Sequence, residues 1–157
     1  MTSKKTKSAA SKKKTKKPES LEALVFRAVG VKKPNKHLPF AKSVSRWIAS
    51  ALVELGHAGK NVHWQANEDL GSDVGCAIAR AMYIEVFGTK YFTYLEFGPM
   101  FFENTASQEQ RKEIVYHEVA HVVDCWNGAK YLGHGKSWKA LMAQLGLRAR
   151  TCYALEG

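Results

Sequence analysis

No apolar run in the 157-residue sequence approaches the roughly 20 residues needed to cross a bilayer, which argues against a helical membrane span. The N-terminus also lacks the apolar stretch of a secretory signal, so none is expected. Cysteine is scarce. Cys76, Cys125 and Cys152 are odd in number, widely spaced and without a CxxC, which argues against a disulfide scaffold or a zinc ribbon and suits a reducing cytoplasm. Acidic residues are missing from residues 1–17, which hold Lys4, Lys5, Lys7, Lys12, Lys13, Lys14, Lys16 and Lys17. The other 140 residues carry 16 basic and 14 acidic side chains, so the net charge of +10 lies almost wholly in this tail.

A segment of Lys, Ser, Thr and Ala has too little to bury to offset its ordering entropy, so residues 1–18 are expected to be a disordered tail. Eight unopposed positive charges attract nucleic acid by counterion release, without reading sequence. A merely solubilising tail is the alternative. Residues 19–157 have the size and the 45% hydrophobic content of one globular domain.

Hydrophobic spacing divides that domain. Leu21, Leu24, Val25 and Ala28 recur at helical intervals before Gly30. Residues 31–39, with two prolines and three lysines, read as a loop. Phe40, Val44, Trp47, Ile48, Ala51, Leu52 and Leu55 form one apolar helical stripe, which Gly56 stops. Residues 57–73 are polar, contain glycine and have no clear period. Residues 74–87 are ambiguous between helix and strand, because Gly75 and Arg80 interrupt the apolar pattern. Residues 90–97 (KYFTYLEF) alternate and are β-branched and aromatic, which predicts a strand ended by Gly98-Pro99. Tyr91, Phe92, Tyr94 and Phe97 belong to its core and sheet surface rather than to a base-stacking platform. Ser107 followed three residues later by Gln110 is a capping box, opening a helix that runs to about Trp126 with Asn127-Gly128 as its stop. A last helix opens near Ser137, with Trp138, Leu141, Met142 and Leu145 on one face, and Gly146 closes it. The class this predicts is α+β.

Inside the Ser107 helix stands His117-Glu118-Val119-Ala120-His121, an HExxH sequence. Four residues advance about 6 Å and return to nearly the same face, so both imidazoles can reach one ion. Glu118 cannot easily join them, but it can reach a water held by that ion and take its proton. Ile114-Val115 before the motif and Val122-Val123 after it imply burial on both sides, which a pair of surface histidines would not need. A catalytic zinc requires a third protein ligand and one open position. Asp124 lies about 10 Å further along the axis than His117, too far to share its ion. It reads as a group supporting the site from behind or as a helix-end charge. The longer HExxHxxGxxH pattern is excluded by Asp124 and Asn127. His134, in Gly133-His134-Gly135, is the better third ligand, because residues 127–133 can turn the chain and Trp138, in the helix just after it, anchors it against the core. His37, His57 and His63 lie in weakly patterned segments. Cys125 reads as a buried thiol rather than a fourth ligand, and Trp47, Trp64 and Trp126 as packing residues. No oxyanion-stabilising group can be chosen among Tyr116, Tyr131 and the arginines.

The run HEVAHVVDCW followed by GHGKSWKALMAQLG resembles the SprT-like family of zinc metalloproteases, which includes Spartan-like proteins. The close resemblance covers about residues 107–146, with His117, Glu118, His121, His134 and Trp138 at the family's motif positions. A looser one reaches back to about Val74. It implies a small zincin-like α+β metalloprotease domain with an HExxH helix, a short sheet and a C-terminal helix, and one zinc ion. It also implies peptidase activity, in Spartan-like relatives directed at proteins on DNA and stimulated by DNA. An edge of the strand beside the metal helix would align an extended substrate peptide. After the motif only Cys152 remains, not the set of cysteines of the zinc ribbon that many bacterial members carry. The expectation is a cytoplasmic, monomeric zinc endopeptidase in which Glu118 activates water, acting on protein substrates associated with DNA and making no membrane contact. A DNA-associated zinc-binding module without significant proteolysis is the alternative. Hydrolysis of a small amide is a weaker third.

Overall fold

The computed structural model describes residues 38–70, 78–103 and 106–151. The lysine tail, the apolar stretch 21–28, His37, Cys76 and Cys152 lie outside the described residues. The first described helix, α1 (Ala41–Glu54), buries Val44, Ile48, Ala51 and Leu52, the predicted stripe, and ends before Gly56 at φ 78°. Three strands come next: β1 (Trp64–Ala66), β2 (Ala79–Val86) and β3 (Thr89–Phe97). They form a sheet in the order β1-β3-β2, with β1 parallel and β2 antiparallel to β3. A short helix α2 (Pro99–Glu103), the long α3 (Gln108–Trp126) and α4 (Lys136–Gln144) complete the described elements, a mixed α+β arrangement with no helix among them long and apolar enough to cross a membrane.

Long-range packing decides what local pattern leaves open. β1 has three residues and lies in the stretch without a period, yet Trp64 is buried there and pairs with Leu95. The Trp64 indole donates to Ser45 Oγ at 3.1 Å, which ties the sheet to α1. Within the ambiguous stretch, residues 74–77 lie outside the described residues and residues 79–86 form β2. Its hairpin with β3 turns on Phe87 (φ 49°) and Gly88 (φ 77°), both left-handed, as a two-residue primed turn demands. Phenylalanine is a poor residue there: its Cβ is strained at positive φ, and its ring is fully exposed. Phe87→Asn is therefore expected to stabilise the chain, by up to about 1 kcal/mol, because asparagine tolerates this conformation. Urea unfolding of the two proteins measures it, and a lower midpoint in the variant would contradict the strain.

The strand ladder is interrupted once. Met82 pairs with Tyr94 and Tyr83 with Phe92, so Thr93 has no opposite residue and donates its hydroxyl to the Met82 carbonyl at 2.9 Å. The bulge increases the local twist and re-aims side chains where the sheet meets α3. Gly98 ends β3 where the Leu70 carbonyl comes so close that any Cβ would collide with backbone. Pro99 then opens α2, a position where proline's missing N–H costs nothing.

α3 is the centre of the fold. The Ser107 hydroxyl accepts from the Gln110 amide at 3.1 Å and the Gln110 side chain accepts from the Ser107 amide at 3.0 Å, the capping box read from the sequence. Every residue from Ile114 to Asp124 is buried. α1, the sheet and α4 pack around this helix, so the HExxH sequence lies inside the domain.

Candidate metal centre

Burial of α3 carries His117 and His121 into the interior, 5% and 8% exposed. Asn127 ends the helix, Gly128 (φ 79°) reverses the chain, and the segment returns His134 to the same place. His134 Nε2 lies 3.1 Å from His117 Nε2, and His121 Nε2 lies 3.3 Å from it. These three histidines offer ligand nitrogens within 4.8 Å of one another, a group that could hold one metal ion.

Electrostatics suit that use. Burial, and then the neighbouring His134, lower the pKa of His117 to about 4, while the Arg150 backbone hydrogen-bonds the ring and pulls the other way. Burial, then His117 and His134, lower His121 to about 3. Burial and then Lys139 lower His134. All three rings are therefore neutral at neutral pH, with lone pairs free to donate. Nitrogen lone pairs brought this close repel each other unless a proton or a cation lies between them, so the donor set fits a small cation.

Trp138 organises the three rings. Its indole, fully buried at the start of α4, stacks on His121 (centroids 5.2 Å apart, 20° between planes). It meets His117 and His134 edge-on, at 4.7 and 4.5 Å. Its N–H also donates to the His117 carbonyl at 3.4 Å. One aromatic residue thus touches each imidazole.

Glu118 is buried in the same place, its Oε1 3.9 Å from His117 Nε2. Burial pushes its pKa up to about 8, and a hydrogen bond from the Ala81 backbone opposes this. Ala81 belongs to β2, which has a neighbour only on its β3 side among the described strands, so the free side of the sheet meets the HExxH helix at Glu118. No local signal in the sequence announced this contact. Tyr83, one turn of the pleat further on, buries a hydroxyl that has no hydrogen-bond partner among the described residues. Its pKa is raised by burial and by Cys125, Glu118 and Asp124.

The other histidines and the thiol stand elsewhere. The His57 ring packs on Trp126 at 5.5 Å, and neither His57 nor His63 joins the cluster. Cys125 directs its thiol to the Lys90 carbonyl at 3.5 Å. Tyr116 faces away from the metal centre and donates to Glu54 Oε1 at 3.1 Å, which removes it from the oxyanion candidates. Tyr131 is exposed and lays its ring against Gly133 and Gly135 on either side of His134. The absence of a side chain at these two glycines therefore makes room for this ring. Arg148 and Arg150 are exposed.

These shifts set an acid–base profile for the metal-free chain. His117 and His121 bind fewer protons folded than unfolded between pH 6.5 and about 4 or 3, so acidification below 6.5 destabilises the fold. Glu118 binds more protons folded than unfolded between 4.5 and about 8, so raising pH through that window also destabilises it. Below 6.5 the two histidines outweigh the one carboxylate. Thermal melts without metal should therefore peak near pH 6 to 6.5 and decline on both sides. A melting temperature still rising from pH 6 to 4 would contradict the burial of these rings.

A model of the SprT-like family matches residues 45–154, a span that contains the sheet, the HExxH helix and the third histidine. No curated protein and no solved structure matches the chain.

Proposed function

The chain belongs to the SprT-like family, and from that premise we propose that it is a zinc-dependent endopeptidase whose site is built from His117, His121, His134 and Glu118. One observation carries the reading: a buried carboxylate stands beside three converging imidazoles, held by the backbone of β2. A metal site serving only structure has no use for Glu118 there, and its burial would be a pure cost.

His117, His121 and His134 would hold the ion. Bound there, zinc supplies Lewis acidity, polarising a carbonyl and making water more acidic. The residues of the chain do the rest. Burial raises the pKa of Glu118 in the metal-free chain, and a cation held at the three imidazoles would favour its ionised form, so that it could accept a proton from the attacking water and return it to the departing amine. The Ala81 N–H fixes which way that carboxylate points. An extended peptide could lie along the side of β2 that no described strand covers, pairing with backbone groups other than the Ala81 N–H that Glu118 takes.

The test combines metal content with proteolysis. One zinc per chain, and cleavage of denatured casein that chelation abolishes and zinc restores, is the expected result. Zinc without cleavage under any condition, single-stranded DNA included, would favour the binding module instead.

Proteins bound to DNA are the proposed substrates, with the lysine tail as a non-specific tether. Eight lysines neutralising phosphates on a single strand give a slope of log affinity against log salt approaching about −6. Removing residues 1–17 should flatten that slope and lower DNA affinity, leaving casein cleavage without DNA unchanged. Equal DNA binding by the shortened chain would sink the tether.

A further inference from the structure

Two of the proposed ligands come from one rigid helix, whereas His134 stands on a reversal and has to be held there. Asp124, seven residues after His117, is 1% exposed, although burying a carboxylate is costly. One of its oxygens has no hydrogen-bond partner among the described residues. The carboxylate accepts a hydrogen bond from the Ser137 side chain, near the start of α4. That start has no cap of its own, because Gly135 at the N-cap offers no side chain. A carboxylate at the positive end of α4 supplies from across the reversal what the local sequence omits. Ser137 adjoins Trp138, whose ring touches all three histidines, and lies three residues after His134. The Ala129 amide also bonds the Asp124 carbonyl at 3.1 Å, so both ends of the reversal are fastened to this one residue.

We propose that Asp124 and Ser137 form a latch that positions His134, closing the reversal between α3 and α4 so that the third imidazole meets the other two. The latch rests on the metal centre proposed above and contributes geometry rather than a ligand. Both are positioning residues, acting through His134 and Trp138.

Zinc affinity of the full chain, measured by competition with a chromogenic chelator, tests it. Asp124→Ala and Ser137→Ala should each weaken zinc binding about 10- to 100-fold. The double variant should be no weaker than the worse single one, since one hydrogen bond is lost either way. Ser137→Thr keeps the hydroxyl at an exposed position and should bind zinc within a few-fold of the parent. Asp124→Asn keeps an acceptor and should also retain most of the affinity. Should Asp124→Ala fail to fold, the Ser137 pair alone decides.

Unchanged zinc affinity in Ser137→Ala, or losses that simply add in the double variant, would overturn the latch. So would a Ser137→Thr as weak as Ser137→Ala. If the parent chain takes up no zinc, the metal centre itself fails. Amide hydrogen exchange over residues 129–136 of the metal-free protein then still judges the latch. Faster exchange in Ser137→Ala supports it, and identical exchange refutes it.

Discussion

Glu118→Gln should bind one zinc per chain with unchanged affinity and lose peptide hydrolysis by about 10²–10⁴-fold in kcat/KM. Glutamine matches glutamate in shape, and its carbonyl can still accept the Ala81 N–H that holds the native carboxylate. What disappears is the ability to take up and release a proton. No metal ligand is touched, because the three nitrogens that could hold the ion belong to other residues. The variant also separates chemistry from folding. The native carboxylate is buried and resists ionisation up to about pH 8, so a neutral amide should leave the metal-free protein at least as stable above that pH. Three measurements settle it: zinc stoichiometry, steady-state cleavage of a quenched peptide, and thermal melts at pH 8.5. Full cleavage by Glu118→Gln would remove the proposed base. Loss of zinc together with activity would mean that Glu118 serves the ion directly.

The parts of this architecture written in short-range chemistry were legible in the sequence. Ser107 and Gln110 sit three residues apart and answer each other's backbone groups, so the start of the HExxH helix needed no knowledge of the rest of the chain. The α1 stripe and the glycine stops at 56 and 128 are local in the same way. His117 and His121 share a helical face by geometry alone, and His134 joins them once the intervening segment is allowed to turn.

What escaped depends on residues far apart in sequence. β1 exists because Trp64, Gln65 and Ala66 find Leu95, Glu96 and Phe97, thirty-one positions away, and three residues cannot display a period. β2 was obscured because Arg80 interrupts its apolar pattern, and that side chain proves to be spent on Glu96 at 2.8 Å. Its turn carried a phenylalanine where asparagine or aspartate would have announced a hairpin. The contact between Ala81 and Glu118, and the bond between Asp124 and Ser137, join elements whose meeting no local rule anticipates. Asp124 was legible only as one of two alternatives, and its burial, with a hydrogen bond from Ser137, depends on a helix that lies beyond the reversal.

Trp138→Ala is expected to be the most damaging single change to the fold and the metal centre together. A fully buried indole removed from a core costs its transfer free energy and leaves a cavity, about 3–5 kcal/mol in all. Against a typical stability of about 5–15 kcal/mol, that is a large fraction of what holds the domain together. The second effect is specific to this position. Among the described residues, the indole is the one side chain in ring contact with all three histidines, so its loss frees His121 from its stack and His134 from its edge contact. Zinc affinity should therefore fall with stability. Trp138→Phe separates the two contributions: it keeps an aromatic surface but loses the N–H donated to the His117 carbonyl, a bond worth about 1 kcal/mol. It should fall between the parent and the alanine variant in both measurements. Urea unfolding without metal reads the packing cost. Repeating it in excess zinc reads the site, because a ligand stabilises the folded state by an amount that grows with the logarithm of its affinity for that state. Zinc should raise the unfolding midpoint of the parent more than that of Trp138→Ala. An equal rise in both would show that the ring packs the core without shaping the metal centre.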